Sequence, residues 1–203
     1  MHTLMIEKVT FRFIGKGETM PSGVLNPKKT IVLMVDAQTK LLDVMENSEA
    51  LVKRMERVIE GAGWMEVPII YSEHVPSKLG PTHPELSQFL KKSPKVEKVT
   101  FSLFGDEKFK AFAEKLSGKS VVMLGLEAHI CILQTALELL NKIKCRVYVV
   151  ADATASRDHQ DYKLGLERLR DHGAEIVTSE MVLYEWLKTS EHKDFKIIQG
   201  LMK

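Results

Sequence analysis

Six short apolar runs, each separated from the next by a stretch of helical periodicity, constrain this chain more than any other feature. The clearest, TIVLMV at 30–35, is continuous and β-branched, the pattern of a strand buried on both faces. Leu51, Val52, Met55, Val58, Ile59 and Ala62 then recur at helical spacing. Asn47 and Ser48 stand where caps belong, and Gly61 and Gly63 mark the end. The alternation continues with strands expected at 67–71, 95–99, 120–124, 145–150 and 174–178. Helices are expected at 84–91, 106–116, 129–143, 159–171 and 181–188. Such alternation predicts an α/β fold of three layers: a doubly wound, Rossmann-like, six-stranded parallel sheet covered by helices on both faces. Right-handed crossovers leave few topologies, and the commonest has strand order 3-2-1-4-5-6. Strands one and four then lie side by side, and ligands in such sheets bind beyond the carboxyl ends of the strands at that point.

The chemistry is therefore sought just after Val35 and just after Leu124. Asp36 follows the first strand, in VDAQ. GLEAHIC follows the fourth and leads into an apolar helix, so Cys131 falls near a helix N-terminus, where free N–H groups and the dipole favour a thiolate. Asp36 is a base within reach in this topology. Lys98, near the end of the third strand, brings an ammonium to the same edge. The lysine favours the anionic thiol and the aspartate opposes it, so the sign of the thiol's shift stays open. Cys131 is expected to open to the pocket, and Cys145, at the start of an apolar strand, to be inert core. Gln38 either orients substrate or caps the turn after Asp36, and His74 lines the pocket. His129 is expected to pack rather than to pair with Cys131, and Asp152 and Arg157 to be structural hydrogen-bonding residues. Lys98 has the weakest local case, being one of 29 Lys and Arg residues.

At VDAQ, KVTFS around Lys98, GLEAHICILQTAL around Cys131 and VVADATASR at 149–157, the chain resembles the isochorismatase-like cysteine hydrolases. The resemblance runs over about 26–187 and divides the chain into an N-terminal extension, 1–25, and a hydrolase domain, 26–203. It implies a catalytic triad of Asp36, Lys98 and Cys131, and an oxyanion hole from the N–H groups of Glu127 and Cys131, with a cis peptide before Glu127. It also implies a homo-oligomer, a dimer or tetramer. The expected function is cleavage of an amide or related C–N bond in a small molecule. The rival is a scaffold that keeps the fold with little turnover.

Related nicotinamidases carry an Asp-Trp-His-Pro metal pattern that is absent from YSEHVPSKLGPTHPEL. Glu73, His74 and His83 have no ligand spacing, so no metal site and no cofactor is expected. A net charge of +2 gives no reason to expect nucleic acid or an anionic membrane. The most apolar stretch, 120–140, is interrupted by Glu127, His129, Gln134 and Glu138, which argues against a bilayer span. With only Cys131 and Cys145 there is no disulfide framework, and a reducing, cytoplasmic setting is expected. Lys8, Arg12 and Lys16 keep an organellar targeting segment open, and Glu7 opposes it.

Overall fold

The computed structural model describes residues 23–203. The targeting reading of Lys8, Arg12 and Lys16 lies outside the described residues, as does the extension up to residue 22. Six strands form the sheet: β1 (Thr30–Val35), β2 (Ile69–His74), β3 (Lys95–Lys98), β4 (Ser120–Leu126), β5 (Arg146–Ala155) and β6 (Glu175–Val177). Their order is β3-β2-β1-β4-β5-β6 and every pairing is parallel, as the alternation predicts. The helices are α1 (Thr39–Leu42), α2 (Ser48–Trp64), α3 (Pro76–Leu79), α4 (Pro84–Ser87), α5 (Glu107–Ala113), α6 (Leu133–Glu138), α7 (His159–Asp171), α8 (Ser179–Leu187) and α9 (Phe195–Gly200).

The strand period of two sorts β1 between two cores. Val32 and Met34 pack with Met55, Ile59, Leu183 and Trp186 of α2 and α8. Ile31, Leu33 and Val35 pack with Phe109, Ala136, Leu166 and Leu169 of α5, α6 and α7. All six residues of β1 are buried, which is why its sequence is apolar throughout. No helix among the described residues is long and apolar enough to cross a membrane.

The differences from expectation have physical causes. β2 begins at Ile69 because Pro68 has no N–H for the ladder, although its carbonyl still accepts from Val32. β4 runs past its expected end through Gly125, at φ 119°, where a Cβ would lie 2.0 Å from the Val35 carbonyl oxygen. Only glycine lets the β4 backbone come so close to β1. β5 continues to Ala155 across a register shift that sets Gly125 opposite Thr154. Asn47 does not cap α2: it sits at φ 52° and its side chain makes no cap bond. Asp106, Asp158 and Thr178 do cap α5, α7 and α8. The expected domain boundary at residue 26 falls within packed structure. Leu25 is wholly buried and its N–H donates to Glu185, while the Gly23 carbonyl accepts from the Tyr148 hydroxyl.

Candidate active site

Three side chains from three distant segments converge at the carboxyl edge of the sheet. Asp36 leaves β1 at φ 49°, a left-handed conformation that Asp tolerates better than most residues. It is wholly buried, and its carboxylate is gripped on both oxygens. Oδ1 accepts from the Ser72 hydroxyl at 2.7 Å and Oδ2 from the Lys98 ammonium at 2.6 Å. Two interstrand spacings, roughly 9–10 Å, separate β3 from β1, and the long lysine side chain covers that gap. Lys98 Nζ also lies 3.4 Å from Cys131 Sγ and donates to the Thr100 carbonyl at 3.3 Å. The ammonium thus joins the carboxylate and the thiol directly.

Cys131 belongs to a π-helical turn, Ala128–Ile132, that opens the segment continued by α6. The Glu127 carbonyl accepts from Ile130 N at 3.1 Å and Ile132 N at 3.2 Å, which fixes that turn. The Leu126–Glu127 peptide is cis, as the resemblance implies. The Glu127 carboxylate turns away to accept from the backbone N–H and Nε of Arg157, at 3.0 and 3.1 Å. Gly165 of α7 would bring a Cβ to 3.1 Å from the His129 backbone, so its hydrogen side chain is what lets α7 rest on this turn.

The sign that the sequence leaves open is settled by this packing. Burial first, and the Asp36 charge next, push the Cys131 thiol up to about 12, with Lys98 opposing. Burial and the carboxylate thus both disfavour the thiolate. The expectation that Cys131 opens to the pocket needs correction. It is 6% exposed against 4% for Cys145, packed into the second core with the Lys98 ammonium against its sulfur. His74 pairs in register with Lys98. Burial and then the lysine charge hold its imidazole below the ordinary range, with Asp36 opposing. Its ring sits 5.6 Å from that of Phe101, which is half-exposed beside the site and which no sequence signal marks.

Gln38 is the second correction. Its side chain makes no cap bond to the turn. It is wholly buried, and its amide donates to the His74 and Gly80 carbonyls and accepts from His74 N, pinning the end of β1 to the β2 loop. Glu73 spends its carboxylate on Thr82 and Lys95. Among the described residues no three His, Cys, Asp or Glu side chains are grouped to hold a metal. His129 turns from Cys131 toward Ser156, at 2.9 Å, and Asp161, at 3.6 Å. Asp152 accepts from the N–H and hydroxyl of Ser179 at the start of α8. Ser72 is the residue the sequence reading missed.

The sequence model of the isochorismatase domain matches residues 30–181, a span that holds all three converging residues. The chain belongs to the isochorismatase family. Isochorismatase domain-containing protein 1 of Danio rerio is 35% identical over 89% of this chain and 63% of its own length. The chain thus spans less than two thirds of that relative. Isochorismatase domain-containing protein 2 of Xenopus laevis is 35% identical over 89% of this chain and 86% of that protein. Among solved isochorismatase-like structures, that of the MAR1 ribonuclease of Caenorhabditis elegans superposes with a TM-score of 0.82 at 30% identity, covering 89% of this chain and 92% of that one. The YcaC product of Escherichia coli, described as an octameric hydrolase of unknown specificity, gives 0.79 at 20% identity, over 91% and 97% of the two chains, and shares the fold. Family and architecture together give this chain an isochorismatase-like hydrolase fold.

Proposed function

We propose that this chain is a cysteine hydrolase of small molecules and that it cleaves an amide or related C–N bond. One observation carries the reading: a buried lysine bridges Asp36 at 2.6 Å and Cys131 at 3.4 Å. Because burial and the Asp36 charge disfavour the free thiolate, the proton leaves as the sulfur attacks. Asp36 takes it while the Sγ–C bond forms at the substrate carbonyl. The N–H groups of Glu127 and Cys131 receive the oxyanion. Asp36 then gives the proton to the departing nitrogen as the C–N bond breaks. It next takes a proton from water as the water attacks the thioester, and returns it to the sulfur as the C–S bond breaks, freeing the acid and the thiol. Lys98 keeps its charge beside both partners throughout.

The ribonuclease reading that the C. elegans relative invites has no support in this site. The net charge of +2 gives a polyanion no strong pull. A homo-oligomer, dimer or tetramer, remains part of the proposal. Met181, Tyr184 and Ile197 of α8 and α9 expose apolar surface for it, and light scattering tests it.

The deciding experiment is a panel of small uncharged amides offered to wild type and to Cys131→Ala. Turnover should fall about a thousandfold or more in the variant while its melting curve stays cooperative. Equal turnover in both proteins would sink the assignment.

A further inference from the structure

A second concave region lies one strand away from the triad. It is a cavity of about 540 Å³ between the start of α2, the end of β5 and the start of α7, and a smaller hollow of about 160 Å³ continues it toward Arg157. That volume is in the range of small-molecule sites. Thr154 lines both parts, is 4% exposed, and has a hydroxyl without a hydrogen-bond partner among the described residues. A buried hydroxyl of this kind costs stability unless something pairs with it. The remaining polar groups divide into spent and available. Asp152 is held by Ser179, and the Tyr162 hydroxyl donates to the Ala151 carbonyl at 2.8 Å. Arg54 lines the cavity with no hydrogen bond or ion pair among the described residues, and is close enough to Tyr162 to oppose the upward shift of that phenol. Arg157 lines the smaller part, and only its backbone N–H and Nε are engaged, by Glu127.

The first turn of α2 forms one wall, with no side-chain cap on its N–H groups. Those groups and the helix dipole favour negative charge. His159 and Tyr162 stack at 6.1 Å with 29° between their planes, and both rings line the cavity. Three carboxylates oppose that charge: Glu46, without a partner among the described residues, Asp152, which keeps its charge while Ser179 donates to it, and Glu49 in the first turn of α2. We propose that this trough is a second binding site, separate from the triad, for a small organic oxyanion with a planar ring. The oxyanion meets Arg54 and the α2 N-terminus, the Thr154 hydroxyl donates to it, and the ring lies along His159 and Tyr162.

Calorimetric titration of the full chain with phenyl phosphate tests this, with inorganic phosphate as the ringless arm. Phenyl phosphate should bind saturably, one per chain, at about millimolar concentration or tighter, and more tightly than inorganic phosphate. Arg54→Met should weaken it about tenfold, since a charge-assisted contact is lost. Glu46→Gln should tighten it a few-fold by removing a like charge. Ala50→Trp should abolish it, because Ala50 is an exposed lining residue whose enlargement fills the cavity and spares the core. Cys131→Ala should leave it unchanged. Absence of saturable binding would overturn the site. So would binding that survives Ala50→Trp, ignores Arg54→Met, or disappears in Cys131→Ala.

Discussion

The two cysteines are alike in burial and in the direction in which burial moves their thiols. Cys131 and Cys145 are 6% and 4% exposed, and burial pushes their thiols up to about 12 and about 11. Ionisation does not tell them apart, since both thiols are shifted the same way. What separates them is the end of the sheet at which each stands. Cys145 precedes β5 at the amino edge, and its Sγ faces the Leu139 carbonyl at 3.7 Å. Cys131 stands at the carboxyl edge against an ammonium that also holds a carboxylate. On the proposed reading, reactivity is a matter of partners that move a proton during attack, not of a thiolate waiting at rest.

The largest expected effect breaks the pair apart by function. Cys131→Ala should remove turnover and cost little stability. Cys145→Ala should leave turnover within about twofold and lower stability by about 1 kcal/mol, since it only empties a small core position. Kinetics and thermal melts on both variants check this, and the reverse pattern would assign the wrong cysteine. Asp36→Asn should come next, with turnover falling about a thousandfold, because an amide cannot carry the proton. It should still fold, since its carbonyl oxygen can accept from Lys98. A folded Asp36→Asn variant with retained turnover would remove Asp36 as the base.

Lys98→Met sharpens the comparison at the level of the thiol. The ammonium opposes the upward shift of Cys131, so its loss raises that thiol further. Native iodoacetamide labelling of Cys131, slow near neutral pH and rising with pH, should slow about tenfold more in the variant. Labelling of Cys145, whose shift has no contribution from Lys98, should not change. The variant also leaves the Asp36 carboxylate buried without its counter-ion, which should cost about 3–5 kcal/mol. Labelling is therefore compared only where the variant is folded. Parallel slowing at both cysteines would mean that global opening, not Lys98, governs the Cys131 rate.

The fold is legible because period and burial agree along most of the chain. Val32 and Met34 face one core and Ile31, Leu33 and Val35 the other, so strand and helix runs can be told apart before any contact is known. The true ends of β4 at Leu126 and β5 at Ala155 are not legible, because past Leu124 and Val150 the sheet continues through close backbone approach and a register shift, neither of which has a hydropathy pattern. Of the site, Asp36 and Cys131 are legible from strand-end position, while Lys98 needs the family pattern. Gln38 escapes because a buried amide that pins backbone and an exposed one that meets substrate read identically in sequence. Ser72 falls just past the expected end of the second strand at Tyr71, so its signal, a hydroxyl that asks for a buried partner, becomes readable only once β2 is seen to run on to His74.

That signal yields the smallest effect, and the one that best separates positioning from packing. The Ser72 hydroxyl is wholly buried and donates to Asp36 Oδ1 at 2.7 Å, so it fixes the carboxylate plane while Lys98 holds the other oxygen. Ser72→Ala leaves Oδ1 without a side-chain donor and should cost about 1–3 kcal/mol of stability. The carboxylate is then free to rotate off the thiol, so kcat should fall about tenfold with KM unmoved, because no substrate contact is lost. Ser72→Thr keeps the hydroxyl but forces an extra methyl into a closed space, at a similar stability cost of about 1–3 kcal/mol. If Ser72 positions Asp36, the two variants melt alike and differ in kcat, with the threonine variant close to wild type. If Ser72 only fills space, kcat follows stability and the two variants lose it together.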